Sequence, residues 1–436
     1  MRIAKPRIYK LKPLHEYQTY ALKDLEVDGL SKTELKNALS HMSHKTKLFD
    51  LDGSTLKTSH NVGIAASNGI YIQVLPKLLM YNEGRNSNLL SNLLYMLSVC
   101  KDTFNYLGES SAEIDSSQDL MELLIFNYAS ILLKLVAREP LLRYIDQEVI
   151  TDRPRGKINL DRTLKIQLEN KAKTACYINE LSHDNLELQF FKYVCAKSLT
   201  ITSSRKTKSI LRSVLSLMRN VSDKIFGGHE ASRITLSRQF VRYEKPLSLG
   251  LMILRSLNPI FKGRDIKPLS IEFDMNNLFE RYLNYLCIKY KDRLNAKNVI
   301  SQKPVTLIDS LLNLDLDTRQ KYKRIGKIDT FLSMNQGKDI VLDAKYKVLQ
   351  NSSKPDFSLH DLYQINTYQS LAASSSRKVA SALVYPKNHD DKCLQLENQD
   401  YQVKWFIKTI DLHRNLRSDE LDIVDEISAF LGVMAS

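Results

Sequence analysis

The chain has 436 residues, and its 63 lysine and arginine residues outnumber its 49 aspartate and glutamate residues, which gives a formal net charge of +14. Hydrophobic residues make up 43% and charged residues 26% of the sequence, values that exclude collagen-like and wholly disordered chains. The length predicts two or three domains, and the positive charge favours a polyanionic partner such as nucleic acid.

The sequence predicts neither export nor membrane insertion. Its five cysteines lie far apart without a CxxC pair, which argues against a zinc ribbon or a disulfide framework and predicts a reducing, cytoplasmic location. Residues 1–6 lack the apolar run of a signal peptide, so none is expected. Residues 120–137 are the most apolar segment, but Glu122 and Asn127 would be costly in hydrocarbon. A buried helix of a soluble protein is therefore expected there.

The first half of the chain predicts a β-hairpin followed by helices. Apolar residues alternate over residues 62–66 and again over residues 70–74, with Asn68-Gly69 between the two runs. Asn-Gly between two such runs indicates a tight hairpin, because both turn residues must accept a positive φ. Apolar residues at helical spacing then predict helices within residues 86–142 and over residues 185–219.

Beyond a boundary expected near residues 259–267, helices and strands alternate, which predicts an α/β domain and a mixed α/β fold class for the whole chain. The predicted elements are a helix over residues 274–291, strands over residues 324–333 and 339–348, a helix over residues 359–373 and a strand over residues 379–385. The expected domains are a strand-rich, then helical domain of residues 1–150, a helical connecting region of residues 151–258 and an α/β domain of residues 259–436.

Two acidic residues and a lysine on the predicted strand pair form the candidate site. Asp343 and Lys345 lie two residues apart and therefore share one face of a strand. If the two strands pair, Asp329 on the preceding strand reaches the same face. Converging carboxylates suit Mg²⁺, and a neighbouring lysine can orient a metal-bound water. The pattern predicts phosphodiester hydrolysis, and a solvated ion pair at a strand edge is the alternative.

Residues on the flanking helices extend this candidate site. Glu280, on the helix before the strands, could supply a third carboxylate. Gln364 and Tyr368 lie four residues apart on the following helix and share a face, from which they could contact substrate or steady the lysine. An ordinary helix surface is the alternative reading of all three residues.

Basic residues ahead of the Asp329 strand are candidate phosphate contacts. Lys321, Lys323 and Arg324 flank a tyrosine that could stack on a base. A second basic cluster, residues 205–208, fits a solvated surface equally well. Trp405 is expected in the core.

These motifs resemble a known nuclease superfamily. Asp329, the Asp-Ala-Lys of residues 343–345 and the Gln-x-x-x-Tyr of residues 364–368 resemble the PD-(D/E)xK core of the RecB-like branch. The wider chain resembles the McrC family, the nuclease subunits of McrBC modification-dependent restriction systems. Stretches that carry this wider resemblance are residues 62–63, 69–77, 155–158, 275–280 and 343–347. Ile328 occupies the position at which the superfamily has a proline. Because that proline is not a metal ligand, the expected chemistry is unaffected.

The resemblance implies Mg²⁺-dependent cleavage of double-stranded DNA. By the same resemblance, the catalytic residues are Asp329, Asp343, Lys345 and Glu280, and the three carboxylates among them hold the metal. It also implies an McrB-like AAA+ GTPase hexamer as partner, which recognises modified cytosine and translocates on DNA in defence against phage. Residues 1–150 would then be the partner-docking domain, within an N-terminal half of roughly residues 1–250 that docks the partner and stimulates its GTPase.

Two other functions are open on the sequence alone. One is a non-catalytic assembly or DNA-binding subunit, which the intact set of Asp329, Asp343 and Lys345 argues against. The other is a stand-alone RecB-like repair nuclease, which the large N-terminal half argues against. The sequence contains no G-x-x-x-x-G-K-[S/T] loop, so a nucleotide-driven motor has to come from another chain.

Overall fold

The computed structural model describes residues 9–25, 29–44, 46–67, 70–81, 88–100, 119–168, 173–257, 269–308, 324–347, 358–373, 378–387, 393–398 and 403–435. The chain forms two compact units. The helical unit consists mainly of Met121–Leu269, and the sheet unit consists of Tyr9–Ala65, Ile70–Leu120 and Ser270–Ser436. The domain boundaries expected from the sequence, near residues 150 and 258, stay a prediction.

Strands and helices are both present along the described chain, in short runs of each. The strands are β1 (Tyr9–Lys10), β2 (Leu14–His15), β3 (Thr19–Ala21), β4 (Phe49–Asp52), β5 (Thr55–Thr58), β6 (Asn61–Ser67), β7 (Ile70–Leu75), β8 (Arg143–Thr151), β9 (Lys157–Ile158), β10 (Thr174–Ser182), β11 (Leu269–Asp274), β12 (Ala296–Ile308), β13 (Arg324–Met334), β14 (Asp339–Ala344), β15 (Val379–Pro386), β16 (Cys393–Asn398) and β17 (Val403–Ile410). The fold is therefore mixed α/β, as predicted.

The α-helices are α1 (Lys32–Ser43), α2 (Leu89–Val99), α3 (Leu120–Arg138), α4 (Leu160–Leu168), α5 (Leu186–Leu199), α6 (Arg205–Leu217), α7 (Gly228–Ser232), α8 (Glu244–Leu257), α9 (Met275–Lys289), α10 (Leu359–Ala372) and α11 (Glu420–Ala435). Short 3-10 helices occupy Leu22–Leu25, Lys77–Tyr81 and Arg238–Tyr243. Asp274 caps α9, because its side chain accepts hydrogen bonds from the first backbone N–H groups of that helix.

The largest sheet lies in the sheet unit and has the strand order β12-β13-β14-β15-β17-β16. β12, β13 and β14 pair antiparallel, β15 and β17 continue in parallel, and β16 is antiparallel to β17. α10 packs on this sheet through Ile365 and Tyr368, which join a buried cluster with Val341 and Leu383. Trp405 packs against the same cluster, as predicted.

Strand β12 was not predicted from the sequence, although it pairs with β13 along most of its length. It contains Pro304, and proline weakens a strand prediction because it lacks a backbone donor. The proline is tolerated because β12 forms the edge of the sheet. The strands predicted near residues 324, 339 and 379 and the helices predicted near residues 274 and 359 are confirmed as β13, β14, β15, α9 and α10.

The N-terminal strands of the sheet unit form two smaller sheets. One has the order β1-β7-β6-β11 with β2 also paired to β7, and the other has the order β3-β5-β4. β6 and β7 are the two strands of the predicted hairpin, and the Asn68-Gly69 turn lies outside the described residues. α1 covers these sheets and buries Leu35 and Leu39 in their common core.

The helical unit is built around α3. This helix is long and apolar enough to cross a membrane by length and composition alone, but most of it is buried. Glu122 accepts hydrogen bonds from the Thr202 hydroxyl and, at 3.1 Å, from the backbone N–H of Ser203, and Tyr128 donates to the Phe191 carbonyl at 3.1 Å. Glu122 and Tyr128 are therefore hydrogen-bonded inside the unit, as polar groups of a buried helix require.

A buried asparagine ties α2 to the chain that follows β17. Asn92 is buried, its Nδ2 donates to the Leu412 carbonyl at 2.7 Å, and its Oδ1 accepts from the Leu416 N–H at 3.1 Å. We expect Asn92→Ala to lower the free energy of unfolding by about 2–4 kcal/mol, because it leaves buried backbone groups unpaired. The fluorescence of Trp405 during urea unfolding measures this change, since it is the only tryptophan.

Ser98→Ala is the matched control for this prediction. Ser98 lies on the same helix, but its hydroxyl donates only to the Tyr95 carbonyl within that helix. Its loss should change the free energy of unfolding by less than about 0.5 kcal/mol. Equal urea midpoints for the Asn92 and Ser98 variants would contradict the assigned bridging role.

Candidate active site

The pairing of β13 with β14 brings the two predicted aspartates together. The strands are antiparallel, and the register that sets Thr330 opposite Leu342 places Asp329 opposite Asp343. Asp329 Oδ2 also accepts a hydrogen bond from the Ala344 N–H at 3.1 Å. The strand pairing on which the sequence argument depended is therefore present.

Lys345 follows directly after β14 and contacts the second aspartate. Its Nζ lies 2.7 Å from Asp343 Oδ2, and the Asp343 side chain is fully buried while that of Lys345 is 18% exposed. The same Nζ donates to Gln364 Oε1 at 3.2 Å, and Gln364 Nε2 donates to the Tyr368 hydroxyl at 3.2 Å. The two α10 residues selected from the sequence thus form a hydrogen-bonded chain that ends at the lysine.

Burial and mutual repulsion perturb the ionisation of the aspartates. Burial raises the pKa of Asp329 to about 8, and the nearby charges of Asp343 and Glu280 act in the same direction. Burial likewise raises the pKa of Asp343, although the Lys345 cation opposes the shift. Burial alone would lower the pKa of Lys345, but the Asp343 carboxylate and other acidic neighbours raise it above the usual value. The lysine therefore carries its charge at neutral pH.

Glu280 lies on α9, beside the aspartates but in a separate hydrogen-bonded pair. Its carboxylate accepts a hydrogen bond from the Gln302 side chain, and burial raises its pKa. Gln302 belongs to β12 and has a φ of 51°, an uncommon left-handed conformation for a residue inside a strand. Across the described ranges, no three His, Cys, Asp or Glu side chains are close enough to share one metal ion. The structure thus shows an aspartate pair with Glu280 nearby.

The aspartate pair has the chemistry of a divalent-cation site. Asp343 Oδ1 is buried and accepts no hydrogen bond from the described residues. Asp329, its acidic neighbour on the paired strand, has a raised pKa because burial and the charges of Asp343 and Glu280 disfavour its ionised form. A cation would compensate both carboxylates, and Mg²⁺ in particular binds through one or two carboxylates and keeps several waters. The residues present therefore fit Mg²⁺.

Comparison with known proteins assigns the family. The family model described as McrBC 5-methylcytosine restriction system component matches residues 56–386, a range that includes the aspartate pair and Lys345. The chain belongs to the McrBC family. A search of curated proteins found no match.

Two solved structures are similar to this McrBC-family chain. A chain from the refined half-complex of the tetradecameric assembly of Thermococcus gammatolerans McrB AAA+ hexamers with bound McrC is 16% identical with a TM-score of 0.61, and the match covers 96% of this chain and 99% of that one. A chain from the cryo-EM structure of the Thermococcus gammatolerans McrBC complex is 18% identical with a TM-score of 0.45, covering 65% and 88% respectively. The first similarity shows a shared fold.

The sequence analysis of this McrBC-family chain missed a buried aspartate behind the lysine. Asp361, in the first turn of α10, is 2% exposed and accepts hydrogen bonds from Lys347 Nζ at 2.8 and 2.7 Å. The Tyr385 hydroxyl donates to it at 3.3 Å. Its charge adds to the negative field around Lys345. The available signal was its spacing, since Asp361 lies one helical turn before Gln364.

Two of the three predicted phosphate contacts are not among the described residues. Lys321 and Lys323 lie outside the described residues, and Arg324 begins β13. Their role in binding DNA stays a prediction.

Proposed function

We propose that this McrBC-family chain is the nuclease subunit of its restriction complex and has a PD-(D/E)xK active site. The observation that carries the proposal is the placement of Asp329 opposite Asp343, with Lys345 Nζ 2.7 Å from the Asp343 carboxylate. A paired aspartate set that can hold a divalent metal, with a charged lysine beside it, is an arrangement that can hydrolyse a phosphodiester. A subunit with only an assembly role has no need of it.

The residues of this site have distinct roles in the proposed reaction. Asp329 and Asp343 would hold Mg²⁺, and Glu280 is an additional carboxylate nearby. When bound, Mg²⁺ supplies an activated water and stabilises the charge that develops on the phosphate. Lys345 places a cation beside the same position, where it can orient the attacking water or a phosphate oxygen. Gln364 fixes the direction of the lysine side chain.

The complex also needs a motor, which we propose is an AAA+ GTPase partner. The sequence has no phosphate-binding loop of its own. The similar Thermococcus gammatolerans assembly is described as McrB AAA+ hexamers with bound McrC. The family description names 5-methylcytosine, so we propose double-stranded DNA with modified cytosine as the substrate.

Reconstitution with this partner tests the proposal. The complex, GTP and Mg²⁺ should cut a plasmid that contains modified cytosine, and EDTA or omission of this chain should stop the cutting. Undiminished cutting by the partner alone would assign the nuclease to the other subunit. GTP-dependent remodelling of the DNA without any cutting would favour the non-catalytic alternative.

We further propose that the partner binds an exposed apolar surface on the helical unit, here named the β8–β10 surface. Its members are large apolar side chains on β8, α4 and β10 that are at least two-fifths exposed: Tyr144, Ile150, Leu160, Leu164, Leu168, Tyr177 and Leu181. Such a concentration of exposed apolar side chains usually marks an interaction site. The surface spans the boundary expected at residue 150 and lies within the N-terminal half, roughly residues 1–250, to which the sequence analysis assigned docking.

Substitutions on α4 test this docking surface. Leu164 and Leu168 are 59% and 85% exposed, so Leu164→Glu together with Leu168→Glu should leave the fold intact. We expect the double variant to weaken stimulation of the partner's GTPase by roughly tenfold or more, as loss of central apolar contacts does at interfaces. Leu421→Glu is the control, because this leucine of α11 is 47% exposed but belongs to the sheet unit. Unchanged stimulation by the double variant would exclude the β8–β10 surface.

A further inference from the structure

A lysine of the N-terminal sheet reaches the backbone beside Lys345. Lys77 follows β7, and its Nζ donates to the Tyr346 carbonyl oxygen at 2.9 Å. The same ammonium lies 4.9 Å from the centre of the Tyr346 ring and 4.7 Å from that of Tyr17. It is therefore held between two aromatic faces while it binds the peptide next to the proposed catalytic lysine.

Glu16 completes this cluster, which we name the Lys77 clamp: Glu16, Tyr17, Lys77 and Tyr346. Glu16 is 1% exposed, and its Oε1 accepts a hydrogen bond from the backbone N–H of Lys77 at 2.8 Å. The Tyr346 hydroxyl is buried beside the Glu16 carboxylate. Lys77 and Glu16 thus each have specific partners inside the clamp, and Lys77 holds the Tyr346 ring and carbonyl through direct contacts.

Tyr346 lies at the point where such a restraint acts on the site. β14 ends at Ala344, and the backbone N–H of Lys345 still donates to the Val384 carbonyl of β15 at 2.8 Å, so Tyr346 is the residue that directly follows this pairing. The Tyr346 ring also contacts Phe279, at 6.1 Å between ring centres, and Phe279 is the neighbour of Glu280 on α9. A shift of Tyr346 would therefore move the lysine directly and would disturb the helix that carries Glu280.

We propose that Lys77 is a positioning residue for the nuclease reaction, because its ammonium fixes the Tyr346 peptide and thereby aims Lys345 at Asp343. This inference rests on the proposed nuclease function. It gives a role to the Gln73–Lys77 stretch, which carried part of the family resemblance but no assigned chemistry. By this proposal, the N-terminal strands of the sheet unit help to position the active-site lysine, in addition to any docking role.

Three lysine variants of the full chain, each assembled with its AAA+ partner, test the clamp. Lys77→Met keeps the aliphatic stem and removes the charge and the donor. We expect its maximal rate of DNA cleavage to fall by roughly 10- to 100-fold, the usual cost of losing a residue that orients an active-site group. KM for DNA and stimulation of GTP hydrolysis should stay at wild-type values. Lys77→Arg retains a cation and donors and should recover most of the rate.

Lys10→Met is the matched control. Lys10, on β1 of the same sheet, also places its Nζ over a tyrosine ring, that of Tyr71, and pairs with Asp119. None of these contacts involves the candidate active site or Tyr346, so the variant should cut DNA at the wild-type rate.

The outcomes separate the clamp from the proposed function. Wild-type cleavage by Lys77→Met would overturn the inference, and so would parallel losses of cleavage and GTPase stimulation without rescue by Lys77→Arg. Asp343→Asn is run in the same assay. If wild type cuts and Asp343→Asn does not, the nuclease assignment stands, and the Lys77 variants then test the clamp alone. If Asp343→Asn cuts as wild type does, the nuclease assignment fails, and the inference fails with it.

Discussion

Replacement of Asp343 by asparagine is expected to abolish Mg²⁺-dependent DNA cleavage while the partner continues to hydrolyse GTP. Asp343 is fully buried, and its free Oδ1 is the strongest indication of a cation site. The substitution preserves volume but removes the charge that binds the metal, so cleavage should fall by at least roughly 1000-fold. The fold should persist, because burial already disfavours the charged form of Asp343.

Asp339→Asn is the control for this prediction. Asp339 lies on the same strand and on the same side of it, and it is also buried, but it accepts a hydrogen bond from the Met334 N–H in the turn between β13 and β14. Its substitution should leave cleavage within a few-fold of wild type. Plasmid cleavage and GTP turnover are measured in one reaction. Efficient cutting by the Asp343 variant would remove this residue from the active site.

Replacement of Lys345 by alanine is expected to stop the chemical step while DNA binding is retained. The lysine contacts both Asp343 and Gln364, and in the proposed reaction its charge would lie beside the phosphate that is attacked. Loss of such a preorganised charge typically costs roughly 100- to 1000-fold in rate. Binding should change little, because one cation contributes little to the footprint of a basic protein.

Gel-shift and nicking assays on the assembled complex separate these two effects. Lys338→Ala removes the same charge from the turn before β14, at the opposite end of that strand from Asp343. It should affect neither measurement appreciably. If binding and cleavage fell together in Lys345→Ala, the lysine would be a phosphate anchor.

The sequence predicted the strand pair and both flanking helices because their signals are local. β14 has continuous apolar residues around Asp343, and α9 begins after an aspartate that caps it. A spacing of two along a strand and of four along a helix was then enough to group Asp343 with Lys345 and Gln364 with Tyr368. These are properties that neighbouring residues determine by themselves.

The parts that the sequence could not predict depend on distant contacts. Lys77 and Tyr346 are 269 positions apart, and no periodic pattern links them. The role of Asp361 depends on its contact with Lys347. Asp361 lies on the helix that follows Lys347 in the chain, and a segment outside the described residues separates the two. Likewise, only tertiary contacts group Tyr9–Ala65 with Ser270–Ser436.

Direct localisation of a bound metal ion tests the central claim, that Asp329 and Asp343 form the cation site of a nuclease. Mn²⁺ can replace Mg²⁺ at oxygen-ligand sites and is identified by its anomalous scattering. Crystals of the full chain grown with Mn²⁺ should show an anomalous peak between the two aspartates, in contact with Asp343 Oδ1. The same peak should be missing in Asp343→Asn. Mn²⁺ bound elsewhere, with no peak between Asp329 and Asp343 in the wild-type chain, would contradict the assignment.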